Sequence, residues 1–199
     1  MPNRQATTHL LYLHGFRSSP RSAKALLVAE RMRAHHPGVV FWCPQLPPSP
    51  AEAMAMVAAH TAGWPRSRMA VIGSSLGGFY AGWVQATGAC ARAVLVNPAV
   101  NPARDLARYI GEQTAWHDPS ENFYFKPEFV DQLRALAHVA PADPERTLAY
   151  VAQGDEVLDW REMAAWCAGA SLRVLPGGDH ALSDFPDHIA EIEAFLGLG

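Results

Sequence analysis

Five residues, Gly73-Ser74-Ser75-Leu76-Gly77, constrain this chain more than any other stretch, because they join a segment that reads as a buried strand (68–73) to one that reads as a helix (79–87). A serine on so sharp a turn needs a strained backbone that side chains two residues to either side would obstruct. Glycine stands at both places. A strand that ends in such a turn and a helix that folds back over it imply an α/β architecture. The competing reading, a phosphate-binding glycine turn, lacks both the Gly-x-Gly-x-x-Gly pattern and a Gly-Lys-Ser/Thr ending.

The remaining segments agree with that architecture. Short apolar runs at 9–13, 39–42, 93–97, 147–152 and 171–175 join 68–73 as candidate strands, and helical periodicity occupies 22–35, 51–61, 79–87 and 184–196. Ser49-Pro50 offers an N-cap followed by proline at the first helical position, and Gly88 a stop. Each strand is apolar throughout rather than alternating, which indicates a sheet covered on both faces. The expectation is a doubly wound α/β fold, a mostly parallel sheet of about six strands with helices on both sides. The 199 residues suit one domain, 1–199. Roughly 98–146 departs from the pattern, with helical stretches, several prolines, the aromatics Trp116, Phe123, Tyr124 and Phe125, and no clear strand. It reads as a small helical lid insertion, with the aromatics docking it rather than lining a pocket.

Composition excludes several functions. With a net charge of -3 and 18% charged residues, no polyanion-binding surface is expected, and nucleic acid is not an expected partner. No apolar run approaches the roughly 18 residues of a membrane span, and residues 1–5 lead straight into the first strand, so the chain reads as soluble and cytoplasmic, without a membrane partner. Cys43, Cys90 and Cys167 are odd in number and lack Cys-x-x-Cys spacing, so they read as buried free thiols. His35, His36, His60 and His117 have no ligand spacing and read as surface or helix-end residues, and no metal or organic cofactor is expected.

A serine hydroxyl is a weak nucleophile near neutral pH and needs a base. His180, in the glycine-rich loop 176–180 after the last strand, can lean toward Ser75. An acid should follow the preceding strand, and Asp155 stands there. Asp159 is its competitor, but its place at the start of the next helix gives it an ordinary role against the helix dipole. Asp179, adjacent to the histidine, is badly placed to orient the ring. Two backbone N–H groups could hold an oxyanion, that of Leu76 after the serine and that of Phe16 in the loop His14-Gly15-Phe16, where Gly15 permits close approach. The plainer reading of this loop is a turn with Ser19 or Ser22 capping the next helix. Arg17 reads as solvent-facing, its alternative being contact with an anionic substrate group such as a coenzyme A phosphate. Asn97-Pro98 reads as a turn.

The segments LYLHGFRSSP, IGSSLGGFYA, NPAV, QGDEVLDW and GGDHALSDF resemble, in order and wording, those of the YqiA-type esterases, a group of small α/β-hydrolases. The resemblance spans nearly the whole chain. It implies an α/β-hydrolase fold with a minimal sheet, and carboxylesterase or acyl thioesterase activity on small-molecule substrates. Ser75 matches the family serine, His180 the histidine of Gly-Gly-Asp-His, and Asp155 the first acid of Gly-Asp-Glu-Val-Leu-Asp. A fold member that binds an acyl ligand or a protein without turnover, and an acyltransferase using the same residues, are the alternatives.

Overall fold

Six parallel strands form the central sheet of the computed structural model, which describes residues 5–116, 118, 120, 122–138 and 140–198. The strands are β1 (His9–Leu13), β2 (Val40–Trp42), β3 (Met69–Ser74), β4 (Arg92–Val96), β7 (Thr147–Ala152) and β8 (Ser171–Leu175), in the order β2-β1-β3-β4-β7-β8. Between β4 and β7 an antiparallel pair, β5 (Gly111–Thr114) and β6 (Asn122–Phe125), stands apart from the sheet. The helices are α1 (Ala23–His35), α2 (Pro50–Thr61), α3 (Leu76–Ala86), α4 (Pro102–Leu106), α5 (Pro127–Ala135), α6 (Trp160–Trp166) and α7 (Phe185–Leu196). Residues 1–4 and His117, which enter the sequence reading, lie outside the described residues.

Successive strand residues feed two cores, the consequence of the two-residue period of a strand buried on both faces. Leu10, Tyr12, Ile72, Val94 and Tyr150 pack with Val28 and Met32 of α1 and with Phe185, Ile192 and Leu196 of α7. Leu11, Leu13, Val71, Leu95 and Ala149 face the other way, onto Met54 and Val57 of α2, Phe79 and Val84 of α3, and Phe129 and Leu133 of α5. Ser49 caps α2 as its position suggests, accepting the Glu52 N–H at 3.3 Å, and Gly197 ends α7 at φ 70°, in the left-handed region that glycine enters freely.

Two details differ from the sequence reading. The helix expected to begin near residue 79 begins at Leu76, directly behind Ser75. Gly77 and Gly78 are helical residues, and glycine is required because a Cβ on Gly77 would strike the Leu13 carbonyl and one on Gly78 would lie 2.8 Å from the Pro98 Cβ. The insertion holds the expected helical pieces but also the β5–β6 hairpin, which its sequence conceals. Its paired residues are mostly polar or exposed, so no alternation marks them.

Candidate active site

All the candidate residues lie at one edge of the sheet. The parallel register sets Leu13 opposite Gly73, Ser74 opposite Val96, Val96 opposite Tyr150 and Ala152 opposite Leu175, so the loops after β1, β3, β4, β7 and β8 emerge side by side. From β1 the chain goes to β2 on one side and then to β3 on the other, which leaves a crevice between the loops after β1 and β3. Ligand sites in open α/β sheets form at such reversals.

Ser75 occupies the strand-to-helix turn with φ 57° and ψ -121°, a conformation that costs a residue with a side chain about 1–3 kcal/mol. Its N–H donates to the Val96 carbonyl at 2.9 Å, and a Cβ on Gly73 would collide with the Gly77 backbone, so the turn closes only with glycine there. Ser75 Oγ lies 2.9 Å from His180 Nε2, and His180 Nδ1 lies 2.7 Å from Asp155 Oδ2. The Asp155 side chain is wholly buried, and its other oxygen, Oδ1, accepts the Val157 and Leu158 N–H groups at 2.8 Å each. Those bonds fix the carboxylate and leave Oδ2 to accept from the imidazole. With its proton on Nδ1, the ring presents Nε2 as an acceptor for the Ser75 hydroxyl.

The competing acids are engaged elsewhere. Asp159 caps α6 by accepting the Arg161 N–H at 2.9 Å, the ordinary role expected of it. Asp179 accepts the N–H and hydroxyl of Ser183, bonds that hold its carboxyl below the usual aspartate range.

Asn97 takes a part that the turn reading misses. It is fully buried at φ +40°, its Nδ2 donates to the carbonyls of Asp179 and His180 at 3.0 and 3.1 Å, and its Oδ1 accepts the Ala152 N–H at 2.8 Å. The Glu156 carboxylate accepts the His180 N–H at 2.9 Å. One amide and one carboxylate therefore hold the backbone that carries the imidazole. The sequence signal for Asn97 is an amide residue at the end of a central apolar strand, beside the nucleophile's loop.

The loop after β1 is pinned by His14. Its buried Nε2 accepts the Leu46 N–H at 3.0 Å, which leaves Nδ1 protonated to donate to the Gly15 carbonyl at 2.9 Å. A Cβ on Gly15 would come within 3.2 Å of the Ser75 Cβ, so the close approach expected of this glycine is present. Among the described residues, neither the Phe16 nor the Leu76 N–H has a protein acceptor. Ser22 stands at the N-cap of α1 but makes no side-chain cap.

Above these groups opens a cavity of about 590 Å³ that Ser75 and His180 both line. Phe16, Leu106, Tyr109 and Leu158 give it apolar walls on the side of the insertion, and Leu27, Leu182 and Phe185 on the side of α1 and α7. Phe125 is buried and, with Phe123, packs edge-on to the Phe16 ring at centroid distances of 5.2 and 5.9 Å, so these two aromatics dock the insertion as expected. Trp116, by contrast, is 71% exposed and lines the cavity, and Tyr124 is half exposed. Arg17 is not the solvent-facing residue expected: it is half-buried, its Nε donates to the Thr114 carbonyl at 2.6 Å, and its guanidinium lies 4.1 Å from the centre of the Trp116 ring.

Other expected groups lie away from this site. The thiols of Cys43, Cys90 and Cys167 are free and pushed up to about 12 by burial, which leaves them poor nucleophiles; Cys43 is only half-buried. His60 is exposed and stacks on Trp42, whereas His36 packs half-buried beside Glu193. Among the described residues, no group of three His, Cys, Asp or Glu side chains is arranged to hold a metal, and no helix is long and apolar enough to cross a membrane.

A family model, that of an uncharacterised protein family designated UPF0227, matches residues 9–197. Among solved structures, the chain is similar to one from Agrobacterium vitis S4 whose hydrolase assignment is itself provisional (TM-score 0.74, 16% identity, 96% of this chain and 91% of that one). It is also similar to a structure described with the metagenome-derived lipolytic enzymes LipS and LipT (0.71, 16%, 100% and 99%) and to the mouse α/β-hydrolase domain-containing protein 10 (0.67, 14%, 96% and 92%). At these identities the likeness establishes the fold, which is that of the α/β-hydrolases.

Proposed function

This chain belongs to the UPF0227 family, that of the YqiA-type esterases, and on that premise we propose that it is a serine hydrolase that cleaves carboxylic esters or acyl thioesters through Ser75, His180 and Asp155. The observation that carries this reading is the unbroken relay from the buried Asp155 carboxylate through His180 to Ser75 Oγ, with links of 2.7 and 2.9 Å. A binding module has no physical need of it.

In this mechanism Ser75 Oγ attacks the acyl carbonyl as His180 Nε2 removes the hydroxyl proton. Asp155 stabilises the imidazolium and holds the ring in the productive tautomer. The Phe16 and Leu76 N–H groups, both without a protein acceptor among the described residues, receive the oxyanion, assisted by the positive end of α3. The imidazolium protonates the departing alcohol or thiol, leaving an acyl-enzyme. His180 then draws a proton from water, which attacks the same carbonyl, and passes it to Ser75 Oγ as the acyl–Oγ bond breaks and the acid leaves. The insertion over the cavity acts as a lid on a single 1–199 domain. The three free thiols fit a reducing compartment, the cytoplasm.

Intact-mass spectrometry after exposure to a small fluorophosphonate tests the assignment. A single adduct on the native protein is expected, absent from Ser75→Ala and formed far more slowly by His180→Ala. A folded native protein that takes up no reagent would refute an activated Ser75 and leave acyl-ligand binding without turnover.

A further inference from the structure

Two guanidinium groups line the cavity from separate segments, Arg17 in the loop after β1 and Arg108 in the insertion after α4. Arginine on this protein is commonly neutralised: Arg31, Arg33, Arg104, Arg134 and Arg173 are each held by a carboxylate. Among the described residues neither Arg17 nor Arg108 is. Each instead lies against an aromatic ring of the cavity wall, Arg17 on Trp116 at 4.1 Å and Arg108 on Tyr109 at 5.0 Å. The Phe16 and Tyr109 rings, 5.6 Å apart, join the two segments, so each cation is the chain neighbour of a ring in this contact, one of them that of Phe16, whose N–H is assigned to the oxyanion.

Arg17 is also held at a cost. Its φ is 59°, a region that glycine enters freely and a residue with a side chain does not. The Trp116 N–H donates to the Arg17 carbonyl at 2.8 Å, and Arg17 Nε donates to the Thr114 carbonyl at 2.6 Å. These bonds and the stacking on Trp116 fix the guanidinium while leaving its two terminal nitrogens without a protein acceptor among the described residues. Asp105 on the cavity wall is bonded to Arg104 at 2.7 Å and shares that one guanidinium with Glu162, so this trio carries a single net negative charge against the two cations. Lys24 also lines the cavity, donating to the Ala181 carbonyl, but Asp179 faces it and offsets its charge. The chain as a whole carries a net charge of -3, so this concentration of positive charge is local.

We propose that the cavity takes an ester or thioester bearing an anionic group, a carboxylate or a phosphate, which Arg17 and Arg108 grip while Ser75 attacks the carbonyl. This rests on the serine-hydrolase reading above. A fork of guanidinium donors suits either anion, and pre-stacking on rings lowers the ordering cost of the grip. An anion held there fixes the carbonyl against Ser75 by a contact remote from the reacting bond.

Two matched pairs of esters test it. p-Nitrophenyl valerate against mono-p-nitrophenyl glutarate puts a carboxylate on the acyl side, and phenyl butyrate against 4-butyryloxyphenyl phosphate puts a phosphate on the leaving side. The expected result is a kcat/KM at least about tenfold higher for the charged member of one pair, the size of a charge-assisted hydrogen bond lost or gained. Which pair responds identifies the anion and its side of the carbonyl. The charged-to-neutral ratio should fall toward one in Arg108→Gln, whose exposed position makes misfolding no obstacle, and in Arg17→Gln, and should shrink as salt is raised. Hydrolysis of the neutral esters with no preference in either pair, or a preference that survives both substitutions together, would overturn this proposal and leave the hydrolase reading standing. Absence of hydrolysis throughout, with no fluorophosphonate adduct, would remove both.

Discussion

Asn97 joins three pieces of chain that the proposed chemistry needs in fixed relation: the end of β4, the Ala152 N–H at the end of β7, and the carbonyls of Asp179 and His180. The imidazole must lie within hydrogen-bond reach of Ser75, and misplacement by about 1 Å can cost on the order of a hundredfold in rate. Asn97→Ala removes the amide that holds the His180 loop and leaves buried partners unsatisfied, at about 1–3 kcal/mol. The expected outcome is a melting temperature lowered by a few degrees. Well below it, fluorophosphonate phosphonylation of Ser75 should slow by roughly ten- to a hundredfold. Phosphonylation at the native rate on a merely less stable protein would mean that Asn97 supports the fold and does not position the base. Ser75, His180 and Asp155 were legible because each belongs to a local pattern, an elbow motif or a loop after a strand, and because the order of serine, acid and histidine is itself a constraint. Asn97 had no such pattern. Its partners stand 55 to 83 residues away, and only the assembled sheet brings them to it.

At the scale of elements, α1 and α7 cover one face of the sheet and are tied to each other by Arg31 and Glu193, whose two bonds measure 2.8 and 2.7 Å. The Arg31 hydrogen bonds hold the Glu193 carboxyl below its usual value of 4.5. A group whose pKa is depressed by folding adds stability above its unfolded pKa and loses it as pH falls through the folded one. Glu193→Gln should therefore lower stability near pH 7, by about 0.5–1.5 kcal/mol once solvent screening of the partly exposed pair is allowed for. The deficit should narrow as pH drops below 4.5, measured by urea unfolding across that range. A deficit independent of pH would mean that the loss comes from packing and not from the charged pair. Helices α1, α2, α3 and α7 could be read from their periodicity, and β1, β3, β4 and β7 because burial on both faces writes itself as uninterrupted apolar runs; the edge strands β2 and β8 are partly exposed and were read from shorter apolar runs. The β5–β6 hairpin could not: β5 reads Gly-Glu-Gln-Thr, with no buried side chain, and takes its strand geometry from β6. The start of α3 was misread for a related reason, since Gly77 and Gly78 look like turn residues until the Leu13 carbonyl and Pro98 are seen to demand them.

Across the whole molecule, the sheet and the insertion are held by unequal means. β1, β3, β4 and β7 are paired on both sides and buried on both faces, so their central amides should open to exchange only when the protein unfolds globally. The hairpin has one partner strand per strand. Its described attachments to the sheet domain are Phe125, buried in the core with Phe123 packed against it, the rings around Phe16, and the Arg17 bonds to Thr114 and Trp116. A two-stranded ribbon is marginal on its own. If the insertion is a lid, amides in 111–114 and 122–125 should exchange at least about a hundredfold faster than those of β3, through local opening that leaves the sheet intact. A phosphonate on Ser75 should reach the cavity walls that Tyr109 and Trp116 form and slow hairpin exchange, with β3 unchanged. Hydrogen-exchange mass spectrometry of the free and adducted protein measures both. Hairpin amides as slow as those of β3 in the free protein would make the insertion a fixed wall, and substrate would then have to enter through the existing mouth of the cavity, past the exposed Trp116 ring and the Arg17 guanidinium stacked on it.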